Sequence, residues 1–209
     1  MVISHQHRFI FWKPHKVGST SVMVTLGNLC GPHDSVGAVA DQAGGSAVRR
    51  NMTAFSHLPT AGNHATPDQI KPITSALWGD AVWQQYTRLT IVRNPWARAV
   101  SWWDYARHQL GKNLPFRSAL ENSERPYWFD ETGQRQAQVY LRCESLDEDF
   151  QRFCIDRNLQ SEPLPRLRPG ARDPGKPYWD YFNAEDQQTV AENFALEIAE
   201  FGYRFGDSA

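Results

Sequence analysis

The sequence has few cysteines, no long apolar run and almost no net charge, and each of these lacks narrows what the chain can be. Its three cysteines, Cys30, Cys143 and Cys154, show no CxxC or other metal-ligand spacing. An odd count argues against a disulfide framework and for a reducing compartment, although a Cys143–Cys154 pair stays open. His5 and His7 have no second pair to complete a metal site and read as a solvated terminus, so no metal is expected. No apolar stretch approaches a membrane span, and no signal peptide precedes Arg8. The expectation is a cytoplasmic chain without a transmembrane segment, or one from which an upstream anchor has been removed. Lys plus Arg number 22 against 23 Asp plus Glu, a net charge of −1. With no global basic field, nucleic acid is not an expected partner and any anion site must be local.

What is present is a globular balance, 41% hydrophobic and 22% charged over 209 residues, enough for a single domain spanning 1–209 with a continuous core. Phe9-Ile10-Phe11-Trp12 reads as a buried strand, followed by a polar turn with Gly18 and a helix carrying Val22, Leu26 and Leu29 on one face. Residues 31–66, with Gly44-Gly45-Ser46, form a long excursion of little periodicity, in which Thr53–His57 reads as a brief strand. Tyr86–Val92 is a second strand, closed by Arg93, with Asn94 as N-cap and Pro95 at the first helical position. Shorter helical pieces are expected over 113–136. Val139–Cys143 reads as a strand, Ser145 and Glu148 as a capping box opening a helix, and Asn183 as the cap of one final helix ended by Gly202. Strand–helix alternation predicts an α/β fold with a central parallel sheet flanked by helices.

Two strand-to-helix junctions have the chemistry of anion sites. Lys16-Val17-Gly18-Ser19-Thr20-Ser21 combines a lysine, a glycine for close approach and three hydroxyls with the free N–H groups of a helix start. It is not the GxxxxGK[ST] loop, because the lysine precedes the glycine. At the second junction Arg93 ends a strand and Ser101 lies eight residues on, a guanidinium fork and a hydroxyl able to share one phosphate.

The segment from Phe11 to Ser21 resembles the 5′-phosphosulfate loop of sulfotransferases that use 3′-phosphoadenosine 5′-phosphosulfate (PAPS), specifically the Golgi-type and bacterial carbohydrate group. His15 stands where many members have Pro, and Ser19 where many have a second Gly. Val92 to Ser101 is similar to the family's 3′-phosphate motif, and Leu141–Leu146 to its R-x-E-x-L segment. The resemblance implies a P-loop-NTPase-like sulfotransferase fold and PAPS as co-substrate, bound by Lys16 to Ser21, Arg93 and Ser101. It adds Arg168 and Arg172 from a basic loop over 166–176. The acceptor it implies is a hydroxyl, on a saccharide by analogy with that group. Lys16 would stabilise the leaving group, and His57 in Phe55-Ser56-His57-Leu58-Pro59 would serve as base, with His64 and His15 as alternatives. Trp102, Trp103, Tyr127 and Trp128 are candidates to line a sugar-stacking cleft, Trp103 also fitting the core. Two other readings are a P-loop-type kinase, which would need GK[ST] and a strand-ending Asp, and a catalytically silent nucleotide-binding protein.

Overall fold

Val2–Ser4 (β1) and Phe9–Phe11 (β2) pair antiparallel, with Ile3 opposite Ile10. The connection of residues 5–8 is too short for a parallel crossover, so a hairpin is the pairing it permits. Ser35–Val36 (β3) adds antiparallel to the free side of β1. Thr87–Val92 (β4) runs parallel to β2, and Val139–Arg142 (β5) completes the order β3-β1-β2-β4-β5. The chain between β2 and β4 carries the helices α1 (Ser19–Leu29), α2 (Pro67–Trp78) and α3 (Asp80–Gln85), the kind of long connection a parallel pair requires. The expected parallel sheet is thus a mixed one, with parallel pairing at its centre. This computed structural model describes residues 1–37, 49–58, 64–121, 128–167 and 175–207.

The chain divides into two compact units. The first, Met1–Ile91 with Tyr127–Arg168, contains the strands up to Ile91, α1 to α3, and the helix α4 (Leu146–Asp156). Ile10, Trp12, Met52, Phe55, Ile70 and Trp83 form one continuous buried cluster there. Phe9, Phe11 and Phe55 are fully buried, each contributing about 2–3 kcal/mol of apolar transfer.

The second unit, Val92–Pro126 with Pro169–Ala209, contains α5 (Pro95–His108), α6 (Phe116–Glu121), α7 (Ala184–Asn193) and α8 (Ala195–Phe201). Its interior is aromatic: Phe116 meets Phe182 edge-on at 4.9 Å and Trp103 at 5.5 Å. Arg98 pairs with Glu197 at 3.5 Å and lies over the Phe194 ring at 4.7 Å.

Several local expectations are corrected. His5 and His7 are not a solvated terminus: His5 Nδ1 is 3.0 Å from the Tyr86 hydroxyl, and His7 Nε2 is 3.1 Å from the Leu29 carbonyl. Thr53–Phe55 is a 3₁₀ turn instead of a strand, because Ser56 Oγ donates back to the Thr53 carbonyl. The Ser145 capping box does not form. Ser145 instead ends a 3₁₀ turn, and the N-terminus of α4 is served by Asp147, Glu148 and Asp149, the last accepting from the Arg142 amide at 2.8 Å. The final helix is two helices, broken where Phe194 adopts φ −122° and places its ring beneath Arg98. A capping box does form at Thr66 and Gln69, opening α2, where none was expected. The three cysteines are free thiols.

Candidate functional site

The loop after β2 is shaped by two left-handed residues. Lys16 has φ 62° and Gly18 φ 78°. For a lysine this geometry costs about 1–2 kcal/mol, strain of the kind that concentrates at ligand-binding turns. Ser19 Oγ donates to the Pro14 carbonyl at 2.9 Å, so this hydroxyl closes the loop. Helix α1 begins directly afterwards, with no side-chain cap and no acidic residue in its first turn. Its first N–H groups and positive dipole end therefore meet no carboxylate of their own, and strained-turn amides of this type converge on anions.

The loop is backed by the segment after β5. A Cβ on Gly18 would lie 3.1 Å from Leu146 Cδ2 and 3.7 Å from Cys143 Sγ. The R-x-E-x-L segment thus packs against the loop's glycine, where an added Cβ would force Leu146 or the loop to yield.

A basic cluster adjoins the loop. His64 stacks on His15 with ring centroids 3.6 Å apart and planes 11° from parallel. His64 Nδ1 is 2.8 Å from the Lys13 carbonyl oxygen, and Lys13 is itself buried. Burial above all, then the charges of His15, Lys13 and the Met1 amino group, push the His64 pKa down to about 3. The Met1 amino group is pushed down to about 4, by burial and then by Lys13. Nothing in the spacing of the sequence announces the His15–His64 stack, because 48 residues separate the partners and only the packing of α2 against the sheet unit joins them. His57, in contrast, is exposed and follows the 3₁₀ turn whose Phe55 is anchored in the core.

The second junction is held by Asn94. Fully buried, it accepts from the Trp96 and Ala97 amides at 3.1 and 3.2 Å, and its Nδ2 donates to the Arg204 carbonyl at 3.1 Å. Pro95 occupies the first turn of α5 as expected, so the chain direction at half-buried Arg93 is fixed from both sides. Ser101 lies half-buried on α5, about two turns in.

Of the aromatic candidates, Trp128 is excluded from any cleft: it is fully buried, with Nε1 donating to the Ile91 carbonyl at 3.0 Å. Trp103 is half-buried in the aromatic interior of its unit, with Nε1 on the Leu114 carbonyl at 2.9 Å. Tyr127, Arg168 and Arg172 lie outside the described residues, as does the 44–46 segment. Among the described residues no cluster of three or more His, Cys, Asp or Glu side chains could hold a metal, and no helix is long and apolar enough to cross a membrane.

A strained loop thus opens an uncapped helix at the end of the central strand β2, an arrangement with the chemistry to receive a phosphate-like group. The class can be given more closely: residues 1–160 match the model of the sulfotransferase family, and the chain belongs to that family. Comparison with curated proteins and with solved structures gave no match.

Proposed function

We propose that the protein transfers the sulfuryl group of PAPS to a hydroxyl, the acceptor being a saccharide. The observation that carries this reading is the uncapped, acid-free start of α1 behind the left-handed Lys16–Gly18 turn, in a chain of the sulfotransferase family. The amides from Val17 to Ser21, with Thr20 and Ser21 hydroxyls, bind the 5′-phosphosulfate. Lys16 takes up the charge that builds on the bridging oxygen as the S–O bond breaks. By resemblance, Arg93 and Ser101 hold the 3′-phosphate, and Arg168 and Arg172 contact the nucleotide. A histidine receives the acceptor proton, His57 by resemblance, with His64 and His15 next to the loop as the other two bases available.

Thermal melting with 3′-phosphoadenosine 5′-phosphate and, separately, with ATP–Mg²⁺ tests the donor. A ligand at about a hundred times its dissociation constant adds ~2.7 kcal/mol, a rise of roughly 5–10 °C for a chain of this size. The expected result is stabilisation by 3′-phosphoadenosine 5′-phosphate that Lys16→Ala weakens. Stabilisation by ATP–Mg²⁺ alone would identify a kinase-type site and defeat the proposal.

A further inference from the structure

We infer that His64, seated face to face on His15, is the proton acceptor of the transfer reaction, and that His15 is the residue that positions it. The inference rests on the sulfuryl-transfer reading above. A carbonyl oxygen only accepts hydrogen bonds, so the 2.8 Å contact to Lys13 requires Nδ1 of His64 to carry the hydrogen. The neutral ring then has its lone pair on Nε2, and the tautomer is set by the backbone, as oriented catalytic imidazoles commonly are. The 3.6 Å stack on His15 fixes the remaining freedom, the ring plane. Two imidazolium cations would repel in this arrangement, so the stack also favours an uncharged His64.

Both supports belong to the donor loop itself. Lys13 and His15 flank Pro14, whose carbonyl receives the Ser19 hydroxyl that closes the loop. A base mounted on this segment keeps its register to whatever the loop binds. His57 has no such mount, being exposed on a different turn.

Among the described residues, the charges that act on His64 come from basic groups: His15 on the loop, Lys13 just after β2 and the Met1 amino group before β1. With burial they hold the imidazole unprotonated at neutral pH while the loop is empty. A donor with several negative charges offsets the positive charge of Lys13, so basicity rises when the donor is bound. In the transfer step the acceptor O–H gives its proton to Nε2 as the O–S bond forms. The S–O bond to the 5′-phosphate breaks, its electron pair leaving with 3′-phosphoadenosine 5′-phosphate, and the imidazolium later returns the proton to water.

The test measures label transfer from ³⁵S-PAPS to a panel of mono- and disaccharides, and sulfate release to water, for wild type, His64→Ala, His64→Gln, His57→Ala, His15→Ala and His15→Phe. Melting curves with 3′-phosphoadenosine 5′-phosphate run alongside each. Loss of a general base lowers kcat by roughly 10²–10⁴-fold, expected here for both His64 variants with nucleotide stabilisation retained. Added imidazole should restore part of the His64→Ala rate. His15→Phe keeps a flat ring and should retain more kcat than His15→Ala, whose pH–rate profile should shift. A larger loss in His57→Ala than in His64→Ala, both folded and nucleotide-binding, would overturn the assignment. A wild type that neither binds the nucleotide nor releases labelled sulfate would instead sink the sulfotransferase reading. The tautomer is then judged separately by ¹⁵N NMR of the ring: Nδ1–H at pH 7 supports the geometry, and Nε2–H or an imidazolium refutes it.

Discussion

Replacing Gly18 by alanine separates two costs that usually come together. Its φ of 78° is left-handed, which penalises any Cβ by about 1 kcal/mol. The new methyl would also sit 3.1 Å from Leu146 Cδ2, so Leu146 or the loop must yield, an overpacking cost of about 1–2 kcal/mol. Gly133 provides the internal reference: its φ is 81°, but a Cβ there meets nothing within 4 Å. Gly133→Ala should therefore lose about 1 kcal/mol and Gly18→Ala about 2–3 kcal/mol. At 2–4 °C per kcal/mol for this size, melting should fall by roughly 2–4 °C and 4–12 °C respectively. Leu146→Ala in the same chain as Gly18→Ala should recover the excess, because it removes the opposing methyl. Differential scanning calorimetry of the three variants reads all of this, and nucleotide titration should show impaired binding only where Gly18 is changed. Equal losses at Gly18 and Gly133, with no recovery by Leu146→Ala, would refute the packing of the loop on the Cys143–Leu146 segment.

Asn94→Ala removes two accepted amide bonds and the donation to Arg204 at a fully buried position. A loss of about 2–3 kcal/mol is expected by chemical denaturation, and a loss under 0.5 kcal/mol, within roughly the range of neutral surface changes, would contradict the capping geometry. His64 is pushed from its ordinary 6.5 down to about 3 in the folded chain, so between those values the unfolded state binds the extra proton. Its share of stability is therefore intact above pH 6.5 and is lost as pH falls towards 3, at no more than about 1.4 kcal/mol per pH unit. Urea melts of wild type and His64→Gln from pH 7 to 5 should show the shallower pH slope in the variant. Of the three thiols, Cys30 is pushed up to about 12, by burial and then Asp34, and Cys154 is raised by burial. Half-exposed Cys143 should react first with a thiol reagent, and 3′-phosphoadenosine 5′-phosphate should slow it because the sulfur lies against the Gly18 position.

The parts of the fold legible in the sequence were those set by local chemistry. The Asn94-Pro95 start of α5, the Asn183 cap and the Gly202 stop depend on a few adjacent residues, and each lies where its local chemistry dictates, Gly202 by its left-handed φ of 68°. The strand–turn–helix at Phe9–Leu29 was legible for the same reason, being contiguous. What escaped depends on partners distant in the chain. Val2–Ser4 is too short to carry an alternation signal and becomes a strand only by pairing on both sides. Ser145 had the right spacing for a capping box, but Asp149 was drawn to the Arg142 amide and the turn tightened. Trp128 shows the same limit from the other side, since a tryptophan in an aromatic run looks equally suited to a cleft or to the core that takes it.

The central claim, sulfuryl transfer from PAPS at the Lys16–Ser21 loop, is tested most directly by one assay. Purified protein is incubated with ³⁵S-PAPS and saccharide acceptors, and labelled sulfate ester and 3′-phosphoadenosine 5′-phosphate are quantified together. The account predicts the two products in equal amounts, with formation of both strongly reduced by Lys16→Ala. Tight nucleotide binding without either product, or a rate indifferent to Lys16, would contradict it.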